Sequence, residues 1–304
     1  MRYNNTHLNI LVSYAYCGNN KKFTDYIVNK SKEGNINFML DSGAFTLFNA
    51  KQPREWLNLD NYCNYLEKYG NEFEKYVMLD VIGSDHKSKK NYELMLKRQL
   101  NPMFVFTMVD KDYKYLKDAV KINKDICVAG GVTTKGQWMR KRFQDVYNKT
   151  KAKIHALGYV KYPDMYKLPI VSVDSSTWIQ SAQSYGRLLS FDYGLQDGYV
   201  WTEILTKKEK LSYRMKRILE SLEITPKMFS NHDNHKGANS IASLINLITY
   251  IKYQKFSKEK GLNLFLAASN MTGCKTIDWV NNNFDSITFK KWQNFKQKLS
   301  SKHK

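Results

Sequence analysis

The chain has 304 residues, 42% of them hydrophobic, which is enough for one large α/β domain or two small ones with a full core. No apolar run is long enough for a membrane span, and no basic, apolar and small-residue succession marks a secretory leader. A protein of the cytoplasm is therefore expected, with no membrane partner. The 48 basic against 28 acidic residues give a net charge of +20, more than solubility requires, and favour a polyanionic partner.

Eight short apolar runs predict strands. They are Leu8–Val12, Asn37–Leu40, Tyr76–Leu79, Met103–Thr107, Ile126–Ala129, Ile154–Leu157, Ile170–Val173 and Leu188–Phe191. Helical periodicity fills most of the intervals, as in Leu57–Tyr69, Lys89–Leu100, Asp112–Ile122 and Thr134–Lys149. Strands alternating with helices predict βαβ units and a parallel sheet, and eight such units predict an α/β fold of the (β/α)8 TIM-barrel type over residues 1–200. From about residue 201 to 304 the pattern changes to helical and basic, with helices expected over Lys207–Leu222 and Ala238–Phe256. This region is expected to pack on the barrel as a C-terminal extension.

Basic clusters are the candidate nucleic-acid contacts. Arg140, Lys141 and Arg142 are consecutive, and Lys207 and Lys208 open a run that reaches Arg217. The four cysteines (Cys17, Cys63, Cys127, Cys274) lie far apart and form no Cys-x-x-Cys pair, so neither a zinc ribbon nor a disulfide framework is expected. His232-Asp233-Asn234-His235 lacks a third ligand nearby; a cap or phosphate contact before the Ala238 helix is expected there, and no metal or cofactor.

In a barrel the residues at the C-terminal ends of the strands line the active site. Three carboxylates fall there: Asp41 after Phe38-Met39-Leu40, Asp80 after Tyr76–Leu79, and Asp174 after Ile170–Val173. A single strand-end Asp is often a turn or cap residue. Three in one basic chain suggest carboxylate chemistry on a nucleic acid. Ala129-Gly130-Gly131-Val132 reads either as a tight turn or as a backbone platform for a planar heterocycle; its spacing is not that of a P-loop or dinucleotide fingerprint.

These residues resemble a known family. Asp41-Ser42-Gly43-Ala44-Phe45 is similar to the Asp-Ser-Gly-Gly-Phe/Tyr signature of the tRNA-guanine transglycosylases. Gly130-Gly131 resembles that family's base platform, and His155-Ala156-Leu157-Gly158 with Pro163-Asp164 resembles its Leu-Met-Gly-Val-Gly-x-Pro-Asp stretch. Val173-Asp174-Ser175 stands where its nucleophile stands, and Tyr185-Gly186-Arg187 resembles the Arg-containing loop that follows. The family's Cys-x-Cys-x-x-Cys…His zinc site is absent, its base-contacting Gln is not evident, and no appended RNA-binding domain is visible. With these departures the chain resembles the DNA 7-deazaguanine transglycosylases of phages and bacterial modification clusters, which implies the host cytoplasm if it is phage-encoded.

The resemblance implies exchange of guanine in DNA for a 7-deazaguanine derivative, with no cofactor. It implies Asp174 as nucleophile and Asp41 as general acid/base. Ser42, Gly43, Phe45, Asp80, Gly130, Gly131 and Gly158 would line the base site, and Arg187 would hold a flanking phosphate. It also allows for a homodimer, although no interface is legible. A tRNA substrate, an N-glycosidase on the same barrel, and a catalytically silent nucleic-acid binder are the alternatives.

Overall fold

The structure is a computed structural model that describes residues 7–52, 54–107, 111–129, 136–160, 164–185, 187–192, 199–204, 211–225, 228 and 240–301. They fall into two compact units: His7–Ser175 with Lys260–Met271, and Ser176–Glu259 with Thr272–Lys304.

The first unit is a closed parallel barrel. Its strands are β1 (Leu8–Ser13), β2 (Ile36–Asp41), β3 (Lys75–Tyr76), β4 (Phe104–Thr107), β5 (Asp125–Ala129), β6 (Lys153–Leu157), β7 (Ser172–Ser175) and, after the inserted second unit, Asn263–Ala268. That last strand pairs with β1 on one side and β7 on the other, both parallel. The sheet closes where Val77 bridges Met103 and Met103 N–H donates to Tyr76 O at 2.8 Å. This is a (β/α)8 barrel, with helices α1 (Tyr14–Cys17), α2 (Lys21–Lys32), α3 (Ala44–Phe48), α4 (Leu59–Tyr69), α5 (Asp85–Lys97), α6 (Tyr113–Ile122) and α7 (Gly136–Thr150) between strands.

Local chemistry fixes the helix starts. The side chains of Asn20, Asn58, Ser84 and Asp112 accept from the N–H groups of Phe23, Asn61, Lys87 and Tyr115, satisfying donors that have no partner within the helix. Much of the aromatic content lies between barrel and helices. Tyr14 packs on Tyr62 and Tyr65 with ring centroids 4.8 and 5.2 Å away, and Tyr62 Oη donates to Val77 O at 2.7 Å, next to the closing bridge.

Two expectations need correction. Leu188–Phe191 is not a barrel strand: it lies in β8 (Arg187–Asp192), which pairs antiparallel with β9 (Tyr199–Ile204) in the second unit. The eighth barrel strand is Asn263–Ala268, labelled β10, in a segment expected to be helical. Both runs are short and apolar, and such runs do not distinguish a strand from a piece of buried helix, or one sheet from another. The barrel unit accordingly ends at Ser175 and resumes at Lys260, in place of an unbroken 1–200 core.

The second unit also contains α8 (Thr177–Tyr185), α9 (Tyr213–Ser221), α10 (Ile241–Glu259), α11 (Met271–Asn282) and α12 (Phe289–Ser301). Helix α10 is buried on nearly every side and carries polar residues into that environment. They have a use. Asn246 Oδ1 accepts from Leu189 N–H at 2.7 Å, its Nδ2 donates to Arg187 O at 2.9 Å, and Thr249 Oγ1 donates to Leu189 O at 2.6 Å. Side chains of a helix thus satisfy the edge of β8 that β9 leaves open. Asn246→Leu keeps the volume but strands the buried N–H of Leu189 and the part-buried C=O of Arg187. It is expected to lower unfolding free energy in urea by about 1–3 kcal/mol; a change within error would show that this edge finds other partners.

Candidate active site

Every barrel strand is parallel, so the C-terminal ends of β2, β3 and β7 open on one face, and with them Asp41, Asp80 and Asp174. The buried thiol of Cys127, in the middle of β5, reports their convergence. Burial pushes it well up, and the charges of Asp174, Asp41 and Asp80 push it further in the same direction. Strands β2, β3, β5 and β7 are not neighbours of one another except β2 and β3, so these groups meet through the inside of the barrel.

Asp41 ends β2 opposite Ser13, its register partner in β1. Dehydration is the largest influence on its carboxyl and raises its pKa; the nearby Asp174 charge raises it too. The Ser13 hydroxyl, the Gly43 N–H at 3.0 Å and His155 act in the opposite direction without cancelling the rise. The Ser13 hydroxyl approaches without full hydrogen-bond geometry, so Gly43 N–H is the firmer contact.

Asp174 is 8% exposed, in a different setting. Its Oδ1 accepts Gly158 N–H at 2.6 Å and lies 3.3 Å from His155 Nε2. His155 sits on β6 and is 1% exposed. Its Nδ1 is 2.8 Å from Ser172 Oγ, and its ring meets Phe265 of β10 edge-on at 6.1 Å. Since β7 separates β6 from β10, that ring contact is made in the barrel lumen. Asn37 Nδ2 donates to Asn9 Oδ1 at 3.1 Å between β2 and β1, adding two more polar side chains to the barrel wall. Bulky aliphatic residues dominate most such barrels.

The other expected site residues divide. Gly158 has φ +66 and open space where a side chain would be, and its N–H holds Asp174. Phe45 is 61% exposed, so its ring is not part of the core. Ser42 is buried, and its Oγ accepts Ala44 N–H at 3.4 Å at the start of α3. Gly43 has φ +84, and a Cβ there would lie 2.7 Å from that of Ala15, so this glycine permits a close approach to α1. Asp80 is partly exposed, three residues past the Val77 bridge. Gly130, Gly131, Lys207, Lys208, His232 and His235 lie outside the described residues.

Among the expected phosphate contacts, Arg140 and Lys141 are exposed on α7 and Arg187 is exposed at the head of β8. Arg142 is not available for that role. It is buried over the Phe106 ring at 4.0 Å, donating to Tyr113 Oη and Thr107 O, and so ties α7 to β4 and α6. Among the described residues no group of three His, Cys, Asp or Glu could hold a metal ion. No described helix is long and apolar enough to cross a membrane.

The fold and site define a (β/α)8 barrel with a carboxylate cluster at its C-terminal face. No family model matches the chain, and no curated protein matches it. Solved structures give distant likenesses. One is a protein of Aquifex aeolicus VF5 described only as "Structural study of Project ID", at 11% identity and TM-score 0.34, over 48% of this chain and 54% of that one. Another is the tryptophan synthase alpha chain of Legionella pneumophila subsp. pneumophila, at 10% identity and TM-score 0.36, over 58% of this chain and 82% of that one. This chain therefore spans about half the length of the first.

The raised pKa of Asp41 makes a prediction independent of any substrate. The folded chain holds this proton more tightly than the unfolded one, so ionising Asp41 opposes folding. Its favourable contribution is present below the ordinary carboxylate range and is lost as pH rises through the raised value. Asp41→Asn is expected to leave the urea midpoint unchanged at about pH 3 and to raise it above wild type at neutral pH. A midpoint lowered at both pH values would mean that the carboxylate is a stabilising anchor.

Proposed function

We propose that this barrel is a base-exchange transglycosylase that replaces guanine in a nucleic acid, DNA in preference to tRNA, with a 7-deazaguanine derivative. The observation that carries the reading is the unequal treatment of two neighbouring carboxyls. Each accepts one backbone N–H, from Gly43 at Asp41 and from Gly158 at Asp174; dehydration raises the pKa of Asp41, and Asp174 has the His155 ring nitrogen 3.3 Å from its bonded oxygen. Two carboxyls kept in different environments are what a retaining exchange at a sugar carbon needs.

In the first half-reaction a carboxylate oxygen of Asp174 attacks C1′ of the target nucleotide. The C1′–N9 bond breaks, its electron pair leaves with guanine, and the Asp41 carboxyl supplies the proton that the departing base takes up. The result is a glycosyl ester on Asp174. In the second half Asp41, now ionised, takes the N9 proton of the incoming deazaguanine as N9 attacks C1′ and displaces Asp174. Both residues return to their starting states. Asp80 would accept from the purine N–H edge, the exposed ring of Phe45 would stack on a base, and Gly158 would leave room at the side. The target base must leave its stack, at a cost of a few kcal/mol in a duplex and less in a single strand. Arg140, Lys141 and Arg187 would contribute salt-dependent backbone contacts.

Labelled guanine offered with double-stranded DNA, single-stranded DNA and bulk tRNA tests this reading. Incorporation into DNA is expected, together with a denaturation-resistant protein–DNA adduct. Asp174→Ala should abolish both, whereas Asp41→Asn should slow turnover and leave some adduct. Label in tRNA alone would move the substrate to RNA, release of guanine without incorporation would indicate an N-glycosidase, and an adduct of undiminished yield from Asp174→Ala would refute the nucleophile.

A further inference from the structure

The exchange chemistry above uses Asp174 and Asp41 but not the imidazole between them and the barrel wall. His155 is shut off from solvent, and both of its nitrogens face polar groups: Nδ1 meets Ser172 Oγ at 2.8 Å and Nε2 lies 3.3 Å from Asp174 Oδ1. Its other surroundings are the Phe265 ring, the thiol of its register partner Cys127, and the charge of Asp41. A histidine buried among apolar and polar neighbours is costly unless its hydrogen bonds are used.

The two polar neighbours decide which nitrogen carries the proton. If Ser172 donates its hydroxyl proton to Nδ1, Nε2 carries the N–H and turns it toward the carboxylate. The other tautomer would set a lone pair of Nε2 against a carboxylate oxygen at 3.3 Å. The Nε2–Oδ1 approach falls short of hydrogen-bond alignment, as catalytic hydrogen bonds often do before a substrate engages.

We infer that Ser172, His155 and Asp174 form a buried positioning relay that pins Oδ1 of Asp174 and leaves Oδ2 as the attacking oxygen. The inference rests on the nucleophilic role proposed for Asp174. Gly158 N–H bonds Oδ1 at 2.6 Å and His155 Nε2 lies 3.3 Å from the same oxygen, while no described residue bonds to Oδ2. The order of roles is the reverse of a serine hydrolase. Ser172 is 2% exposed and is the far anchor, His155 is a positioning residue, and the carboxylate meets the substrate. With Oδ1 held, rotation of the carboxylate is restricted and Oδ2 is kept in attacking geometry, for which a displacement of about 1 Å costs about 10²-fold in rate.

Two substitutions of similar polarity separate positioning from packing. His155→Gln places an amide donor near the position of Nε2, whereas His155→Asn places one near Nδ1 and cannot reach Asp174. With both variants checked for folding by thermal unfolding, adduct formation is expected to fall about 10²-fold in His155→Asn and to be largely restored in His155→Gln. Equal losses in the two would overturn the relay. A second measurement needs no substrate: side-chain nitrogen NMR of the full chain should show His155 with its proton on Nε2, and Asp174→Asn or Ser172→Ala should shift that signal. A proton on Nδ1 that ignores both substitutions would also overturn it. If wild-type protein forms no adduct while the NMR response is as expected, the relay stands and the transglycosylase reading fails.

Discussion

The parallel pairing of β10 with β1 on one side and β7 on the other is the constraint on which the site depends. Ile10, Leu11 and Val12 pair with Leu266, Ala267 and Ala268, and Leu264, Phe265 and Leu266 pair with Val173, Asp174 and Ser175. Without this strand β1 and β7 would be open edges, and Asp41 and Asp174 would lie on ends of a sheet rather than on one ring. A closed barrel leaves no unpaired ladder and fixes the tilt and stagger of every strand together. The mutual influence of Asp41 and Asp174 is therefore a property of closure, not of either βα unit.

A lumen lined with Asn9, Asn37, Cys127, His155, Ser172 and Asp174 is a poor choice for stability alone. Each polar group must find a partner within the barrel or bear the cost of lost hydration. Asn37 donates to Asn9, and Ser172, His155 and Gly158 surround Asp174. Asp41 has partners too, yet dehydration prevails and its pKa stays raised. A strained or costly feature supported by an otherwise apolar fold points to function. The apolar side of the account is supplied by the aromatic layer of Tyr14, Tyr62 and Tyr65 and by the inner faces of the helices.

Two residues of the stretch that most suggests a site serve the turn itself: Ser42 starts α3, and Gly43 makes room for Ala15. Outside that stretch, Arg142 joins α7 to β4 across the Phe106 ring. A short stretch can hold a carboxylate in place without every member touching a ligand. Within Asp41–Phe45, Asp41 and the exposed ring of Phe45 keep groups available for chemistry, and the intervening residues determine where those groups point.

The sequence by itself determined the βα alternation, seven of the eight barrel strands, most helices of the barrel, and the three strand-end carboxylates. Periodicity and strand-end position are local properties, and each can be read within one window of chain. It did not reveal that Leu188–Phe191 leaves the barrel, that Asn263–Ala268 completes it, or that His155 stands between Ser172 and Asp174. The alternation Ile154-His155-Ala156 and Ser172-Val173-Asp174 carried the one available signal, polar residues on the inward face of otherwise apolar strands. Which strands become neighbours depends on pairing across many residues, and which carboxyl loses its water depends on the packing that pairing creates. Only the tertiary structure could decide either.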